Sequence, residues 1–367
     1  MSEHVIVTGA SGLVGQAAMK HFADRGVPVT AVSRRPPVET HGATFVPLDL
    51  TDADTTAEFM AAQTDATRLV FAALFEKPGL VAGWREADQI ATNDAMLRNT
   101  LEPLLSSAKN LAHISILQGT KAYGAHVHPI DIPAREDRSE DKSIPNFYWE
   151  QEDYLRARAG AAGIPWTIFR PQIVFGMAIG AAMNLIPAIG AYGALMKAQA
   201  KPLGFPGGAV SPILEAVDAD LLAAAIAWAG GEARTGAAAN TIFNVTNGDV
   251  FVWRNVWPAI ADALGMPAGP DTPMRLGEEM PGHAPAWRAL AERHGLREPD
   301  LAALGGESFH YADFTMAYGA DQPIPSALVS TIRLRQSGFT QVIDTEAMFR
   351  KHIAAFQEKR LLPPRDA

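Results

Sequence analysis

Residues Thr8-Gly9-Ala10-Ser11-Gly12-Leu13-Val14-Gly15 offer chemistry through what they lack. The spacing Gly-x-x-Gly-x-x-Gly follows an apolar strand pattern and opens a helical one. Gly9 allows a tight turn, Gly12 lets the backbone approach a pyrophosphate, and Gly15 lets the helix pack close to the strand. Free N–H groups at the helix start then bind phosphate. Glycine spacing alone is a weak signal, but this placement at the head of a strand–helix series makes it specific. Thr8, Gly9, Ser11, Gly12, Leu13, Val14 and Gly15 are therefore the predicted dinucleotide contacts. The second strand ends Val32-Ser33-Arg34-Arg35, without the acid that accepts from an NAD ribose. Two guanidiniums suit a 2′-phosphate, so Ser33, Arg34 and Arg35 point to NADPH/NADP+. The alternative is a pair of solvated surface arginines. Asp49 and Leu50, after the third strand, are expected to flank the adenine, with an Asp capping the next helix as the structural alternative. Ala72, in the fourth strand, is a further expected cofactor contact.

Hydride transfer to or from a carbonyl compound also needs a donor for the developing oxyanion. Short-chain dehydrogenases normally supply it from Tyr-x-x-x-Lys, two side chains on one helix face. That signature is absent. The candidate is Asn146-Phe147-Tyr148-Trp149-Glu150-Gln151-Glu152, in which Glu152 stands four residues after Tyr148. A glutamate beside the phenol cannot favour phenolate, so another cation must act there. As a neutral phenol with a reference pKa near about 10, Tyr148 is suited to donate to an oxyanion.

These residues need a scaffold, and the first half of the chain reads as one. Apolar runs at 4–8, 28–33, 43–47, 69–74, 111–117 and 166–170 alternate with helical patterns at 13–25 and 86–108. Pro103 should kink or restart the second of these helices. Such alternation implies right-handed βαβ units and a parallel sheet. The fold class is α/β: a doubly wound Rossmann sheet with a smaller, mostly helical C-terminal substrate domain. The expected division is a cofactor domain over 1–175, with segments returning at about 210–246. The remainder, about 176–209 and 247–367, forms the substrate and lid region. In that remainder the patterns predict a buried or amphipathic helix pair and lid within 177–208. They predict a helix over 212–230, a strand over 241–246 and a helix over 253–264. An irregular stretch follows over 266–310, then closing helices over 326–334 and 345–357.

Composition excludes several function classes. The 367 residues contain no cysteine, which removes disulfides, thiolate catalysis and thiolate metal sites. The ten histidines show no HExxH-type spacing, so no metal is expected. A net charge of −9, with acids and bases mixed along the chain, argues against nucleic acid or an anionic membrane as partner. An apolar strand begins almost at the N-terminus, with no basic, apolar and small-residue leader before it, so the expected location is cytoplasmic.

Gly119-Thr120-Lys121-Ala122-Tyr123-Gly124 followed by Asn146-Phe147-Tyr148 and Glu152-Asp153 resembles the progesterone 5β-reductase/iridoid synthase-like enzymes. These are atypical extended short-chain dehydrogenases. The likeness continues through Asn93 to Asn99, Arg170 to Gly176, Phe205-Pro206-Gly207, Phe243 to Trp253 and Arg333 to Phe339. The resemblance implies NADPH-dependent reduction of the C=C bond of an activated enone, with Lys121 and Tyr148 as the catalytic pair. It also implies that Lys121 and Tyr148 meet the cofactor, that Pro171, Ile173 and Val174 pass the nicotinamide, and that a homodimer is possible. Phe147, Trp149 and Met183 are the expected pocket wall for a small hydrophobic enone or carbonyl substrate, each with plain core packing as its alternative. The rival readings are a carbonyl reductase on the same scaffold, a nucleotide-sugar epimerase or dehydratase, and a non-catalytic NADPH-sensing protein.

Overall fold

The structure is a computed structural model and describes residues 3–77, 79, 82–322 and 324–366. Two compact units divide the chain. The first runs to Gln172 and takes in Ala219–Thr246 and Val329–Gln341. Among the described residues it holds seven strands: β1 (Val5–Thr8), β2 (Val29–Ser33), β3 (Thr44–Pro47), β4 (Arg68–Phe71), β5 (His113–Leu117), β6 (Trp166–Pro171) and β9 (Thr241–Val245). They form one parallel sheet in the order β3-β2-β1-β4-β5-β6-β9. The order reverses at β1, so a crevice opens beyond the carboxyl ends of β1 and β4, where doubly wound sheets bind ligands.

Strand burial explains the apolar runs. Val5, Ile6, Val7, Ile114, Ile116 and Ile168 are fully buried, as parallel strands covered on both faces must be. One face packs on helices α3 (Ala87–Ser107) and α4 (Phe147–Ala162), through Leu97, Leu101, Leu104 and Leu155. Helices α1 (Leu13–Ala23) and α6 (Ala219–Gly230) pack on each other. The helix after β3, expected only as the one an Asp would cap, is α2 (Ala53–Ala61), and it lies against α3. Pro103 does not restart α3, which runs on through it as one helix. Pro103 lies off the buried face, while Leu101 and Leu104 anchor the helix on either side of it.

The second unit comprises Ile173–Asp218, Asn247–Leu328 and the residues from Val342 onward. Its strands β7 (Ile173–Phe175) and β8 (Ala216–Asp218) pair in parallel. Helices α5 (Leu185–Ala198) and α7 (Trp253–Ala263) and the helix Thr345–Glu358 surround them. Phe175, Phe251, Trp253 and Phe349 form an aromatic cluster with ring centroids 5.0–6.2 Å apart.

Several boundaries differ from expectation for identifiable reasons. Residues 173–175 and 210–218 belong to the second unit, because β7 pairs with β8 rather than extending the large sheet. Val329–Gln341 returns to the first unit, where Asn244 donates to the Ser330 carbonyl at 3.2 Å. The 177–208 segment holds one helix, α5, in which every residue from Leu185 to Met196 is buried. Its contacts make α5 core of its own unit. The supposedly irregular 266–310 stretch contains the helices Leu276–Glu279, Ala284–His294, Leu301–Leu304 and the start of Ser308–Thr315. The closing helix expected over 326–334 is the short Ile332–Gln336. No helix among the described residues is long and apolar enough to cross a membrane.

Candidate active site

The glycine loop leaves the carboxyl end of β1. Gly9 has φ +69°, the left-handed region, and a Cβ there would stand 2.5 Å from the carbonyl oxygen of Ala72. Ala72 therefore abuts the loop just past the end of β4. A Cβ at Gly15 would stand 2.1 Å from the Gly9 oxygen, so glycine at both positions is what lets α1 start directly beneath the turn. Gly12 is the N-cap of α1 and provides no side-chain cap. Thr8 is fully buried and its hydroxyl oxygen has no hydrogen-bond partner. Ser11, Leu13 and Val14 are partly exposed beside it. Backbone donors without a side-chain cap, an orphaned hydroxyl and a floor no Cβ could occupy together fit a pyrophosphate at a helix N-terminus.

Beyond β2, Ser33 is buried and its hydroxyl donates to the Arg35 carbonyl at 2.7 Å. Gln16 of α1 pins the following loop, donating to the Glu39 carbonyl at 2.8 Å and accepting from the Val38 N–H at 3.0 Å. Arg34 and Arg35 are exposed. After β3, Asp49 is exposed and accepts from the Thr51 N–H at 3.0 Å, while Leu50 points into the core. The cap of α2 is Asp52, which accepts from the Thr55 N–H. The capping role considered after β3 thus belongs to Asp52, three residues on.

Two turns carry the catalytic candidates. Past β5, the helical turn Thr120–Tyr123 presents Lys121, starting from Gly119 and ending at left-handed Gly124. Asn146 caps α4 by accepting from the Tyr148 N–H at 3.1 Å, which puts Tyr148 in the first turn. Tyr148 is 5% exposed. A Cβ at Gly119 would stand 3.3 Å from the Tyr148 hydroxyl and 3.6 Å from the Pro171 carbonyl oxygen. The ends of β5 and β6 and the start of α4 meet there.

A residue not foreseen in the sequence joins the candidates. Trp84, 2% exposed, packs edge-on to Tyr148 at 5.7 Å and against Phe147 at 5.1 Å. The Lys121 Nζ stands 3.5 Å over the Trp84 ring. One indole therefore touches both catalytic candidates. Burial lowers the Lys121 pKa from the ordinary lysine range to about 8, partly offset by the Glu76 carboxylate. Burial raises that of Tyr148 far above the usual phenol range, and Glu76 adds to the rise. At neutral pH the site holds an ammonium and a neutral phenol.

Glu152 does not face the phenol. Its carboxylate turns to Arg156 at 2.8 Å and to Arg170 at 3.5 Å, and it accepts from the Gln118 amide at 3.2 Å. Arg170 is fully buried and also pairs with Glu140 at 2.6 Å and donates to Gln118 at 2.7 Å. Gln118 in turn donates to the Tyr148 carbonyl at 3.2 Å. The residue in the usual lysine position is thus part of a buried network that ties β5 and β6 to α4.

The pocket candidates separate. Phe147 backs Tyr148 at 4.8 Å. Trp149 turns elsewhere: its indole N–H donates to the Ile144 carbonyl at 2.9 Å and its ring faces Lys142. Ile173 and Val174 lie in β7, and Met183 precedes α5, all three in the second unit. No group of three or more acidic or histidine side chains that could hold a metal ion occurs among the described residues.

The family model described as "NAD dependent epimerase/dehydratase family" matches residues 5–245. Among curated proteins, the (S)-8-oxocitronellyl enol synthase CYC2 of Camptotheca acuminata is 30% identical, covering 82% of this chain and 80% of its own. The 3-oxo-Delta(4,5)-steroid 5-beta-reductase of Arabidopsis thaliana is 29% identical over the same shares. Among solved structures, the UDP-glucose 4-epimerase of Thermotoga maritima superposes with a TM-score of 0.67 at 15% identity, covering 97% of this chain and 99% of its own. The WbmH enzyme of Bordetella bronchiseptica, solved with NAD+, gives 0.66 at 16% identity, covering 98% and 99%. These structures share the fold. The chain belongs to the NAD dependent epimerase/dehydratase family, as a nicotinamide-dependent oxidoreductase of the progesterone 5β-reductase/iridoid synthase-like group.

Proposed function

We propose that this protein reduces the C=C bond of a small hydrophobic α,β-unsaturated carbonyl compound with NADPH. The observation that carries the reading is the meeting of a buried phenol and a buried ammonium on Trp84, with the helix position of the usual lysine given over to Glu152. Names of the relatives support it: one is a steroid 5-beta-reductase and another an oxocitronellyl enol synthase. When bound, the dinucleotide supplies hydride. Thr8, Gly9, Ser11, Gly12, Leu13, Val14, Gly15 and Ala72 would hold its pyrophosphate side, and Arg34 and Arg35 its 2′-phosphate.

The rest follows from this chain's own groups. Hydride addition at the β-carbon of an enone moves negative charge onto the carbonyl oxygen. Tyr148, a neutral phenol, donates a hydrogen bond to that oxygen. Lys121 supplies positive charge in the same buried region, where it acts more strongly than in water. The α-carbon takes its proton from water, and the carbonyl is retained.

The test follows NADPH consumption at 340 nm with 2-cyclohexen-1-one, progesterone, 8-oxogeranial and a saturated ketone, and identifies products by mass spectrometry. The expected product is the saturated carbonyl compound. An allylic alcohol, or turnover of the saturated ketone alone, would instead establish a carbonyl reductase.

A further inference from the structure

Lys121 packs on a residue of the loop between β4 and α3. Residues between β4 and α3 carry Glu76 and Trp84. The Trp84 indole N–H donates to Glu76 Oε1 at 2.7 Å. On the other side, the flat of the same indole lies 3.5 Å from the Lys121 ammonium. An indole offers a positive N–H edge and a negative face, so carboxylate and ammonium each meet the part of the ring that attracts them.

This arrangement is built into the fold. The loop is tied to α3 by two buried amides. Asn93 accepts from the Phe75 N–H at 2.9 Å and donates to the Phe75 carbonyl at 2.8 Å. Gln89 accepts from the Lys77 N–H at 3.0 Å. Gln151 of α4 donates to the Asn93 carbonyl at 2.7 Å, so the helix that carries Tyr148 is bonded to the same anchor. A Cβ at Gly83 would stand 2.5 Å from Gln89 Oε1, which brings Trp84 close in against α3.

We propose that Glu76 is a positioning residue for this reaction: its carboxylate holds Trp84 by the indole edge, and the Trp84 face holds Lys121 in place as an ammonium. The catalytic meaning of this rests on the enone-reductase reading. The arrangement itself does not.

Among the described residues, the titratable groups near Lys121 or sharing the Trp84 ring with it include Glu76, His126 and Tyr148. Glu76 belongs to the loop after β4 and favours the ammonium. His126 follows the turn that carries Lys121, and burial together with the Lys121, Arg85 and His128 charges lowers it to about 4, so it is neutral near pH 8. Tyr148 at the start of α4 stays a phenol there. Glu76 is therefore the charge among these three that supports Lys121 in the working range. Exchanging it for glutamine keeps an acceptor for Trp84 and removes the charge.

The experiment titrates Lys121 in the intact free protein, with no substrate. Lysines are reductively methylated with 13C-formaldehyde and followed by NMR, and the resonance missing in Lys121→Arg assigns the residue. Glu76→Gln is expected to move the Lys121 midpoint down by half a pH unit or more. Glu86→Gln, an exposed acid in the same segment, is expected to leave it in place. An unmoved midpoint in Glu76→Gln, or an equal movement in Glu86→Gln, overturns the proposal. Should Glu76→Gln not fold, Trp84→Phe keeps a ring face and loses the N–H. It is then expected to lower kcat at least tenfold while changing KM less than threefold, and an unchanged kcat overturns the proposal. A shifted midpoint in a protein that reduces no enone would leave the positioning role intact and defeat the functional reading alone.

Discussion

At the residue scale, the site separates charge from proton donation. In the usual arrangement a lysine one helical turn from the tyrosine lowers the phenol's pKa. Here burial raises it, and Glu76 raises it further. Both effects keep the phenol neutral across the working range, so Tyr148 acts as a hydrogen-bond donor and not as a phenolate base. Tyr148→Phe is therefore expected to lower turnover by about 10²–10³, with NADPH affinity within twofold of wild type by fluorescence titration. An unchanged rate would remove Tyr148 from the mechanism. The pH profile belongs to Lys121. An ammonium is present below its pKa and lost above it, and burial brings that point down to about 8. The phenol titrates well above this, so kcat/KM is expected to hold level toward neutrality and to fall as pH rises through about 8. Lys121→Arg should move that fall out of range, since guanidinium stays charged. A decline at the same pH in Lys121→Arg would assign it to another group.

At the element scale, one buried arginine links what the catalytic turns need. Arg170 of β6 reaches Gln118 beyond β5 and Glu152 of α4, and Gln118 returns to the Tyr148 carbonyl. Removing one partner of a buried charge network leaves the others uncompensated, at about 3–5 kcal/mol. Arg170→Met is expected to lose that much stability in urea denaturation, because Glu152, only 2% exposed, would be left with Arg156 as its remaining close cation. Loss below about 1 kcal/mol would mean that the network is not structural. The same elements explain what the sequence made legible. The strands, α1 and the glycine loop announce themselves locally, through fully apolar runs and residues that only a tight turn demands. Lys121 and Tyr148 were legible as motifs and, through the resemblance, as a pair; the indole that both of them touch was not. That indole is Trp84, delivered by a loop whose anchors Gln89 and Asn93 lie on a different element. Glu152 was misleading because spacing alone puts it beside the phenol, whereas its partners Arg156, Arg170 and Gln118 decide where it points. The helices within 266–310 were hidden by prolines that read as breakers. Pro285 instead falls at the start of Ala284–His294, where a missing N–H costs nothing.

At the scale of the whole molecule, a parallel sheet fixes where every cofactor contact can lie. Register places Thr8 beside Val32 and Phe71, and Ser33 beside Pro47. Gly9, Arg34, Asp49 and Ala72 therefore leave the sheet at one edge, although they are scattered along the chain. In a protein of net charge −9, two adjacent exposed arginines at that edge are a local reversal of sign. Neither makes an ion pair with a described residue. A ligand that binds the folded chain alone raises its stability by RT ln(1 + [L]/Kd), about 2.7 kcal/mol at a hundredfold excess over Kd. The 2′-phosphate is the only difference between NADPH and NADH. At equal concentrations NADPH is thus expected to raise the thermal midpoint by several degrees more than NADH. In the double variant Arg34→Ala/Arg35→Ala the excess should vanish while the NADH shift persists, because the glycine loop still holds the pyrophosphate. Equal loss of both shifts would mean that the arginines support the whole binding edge. Retention of the NADPH excess would place the reader of the 2′-phosphate elsewhere on it.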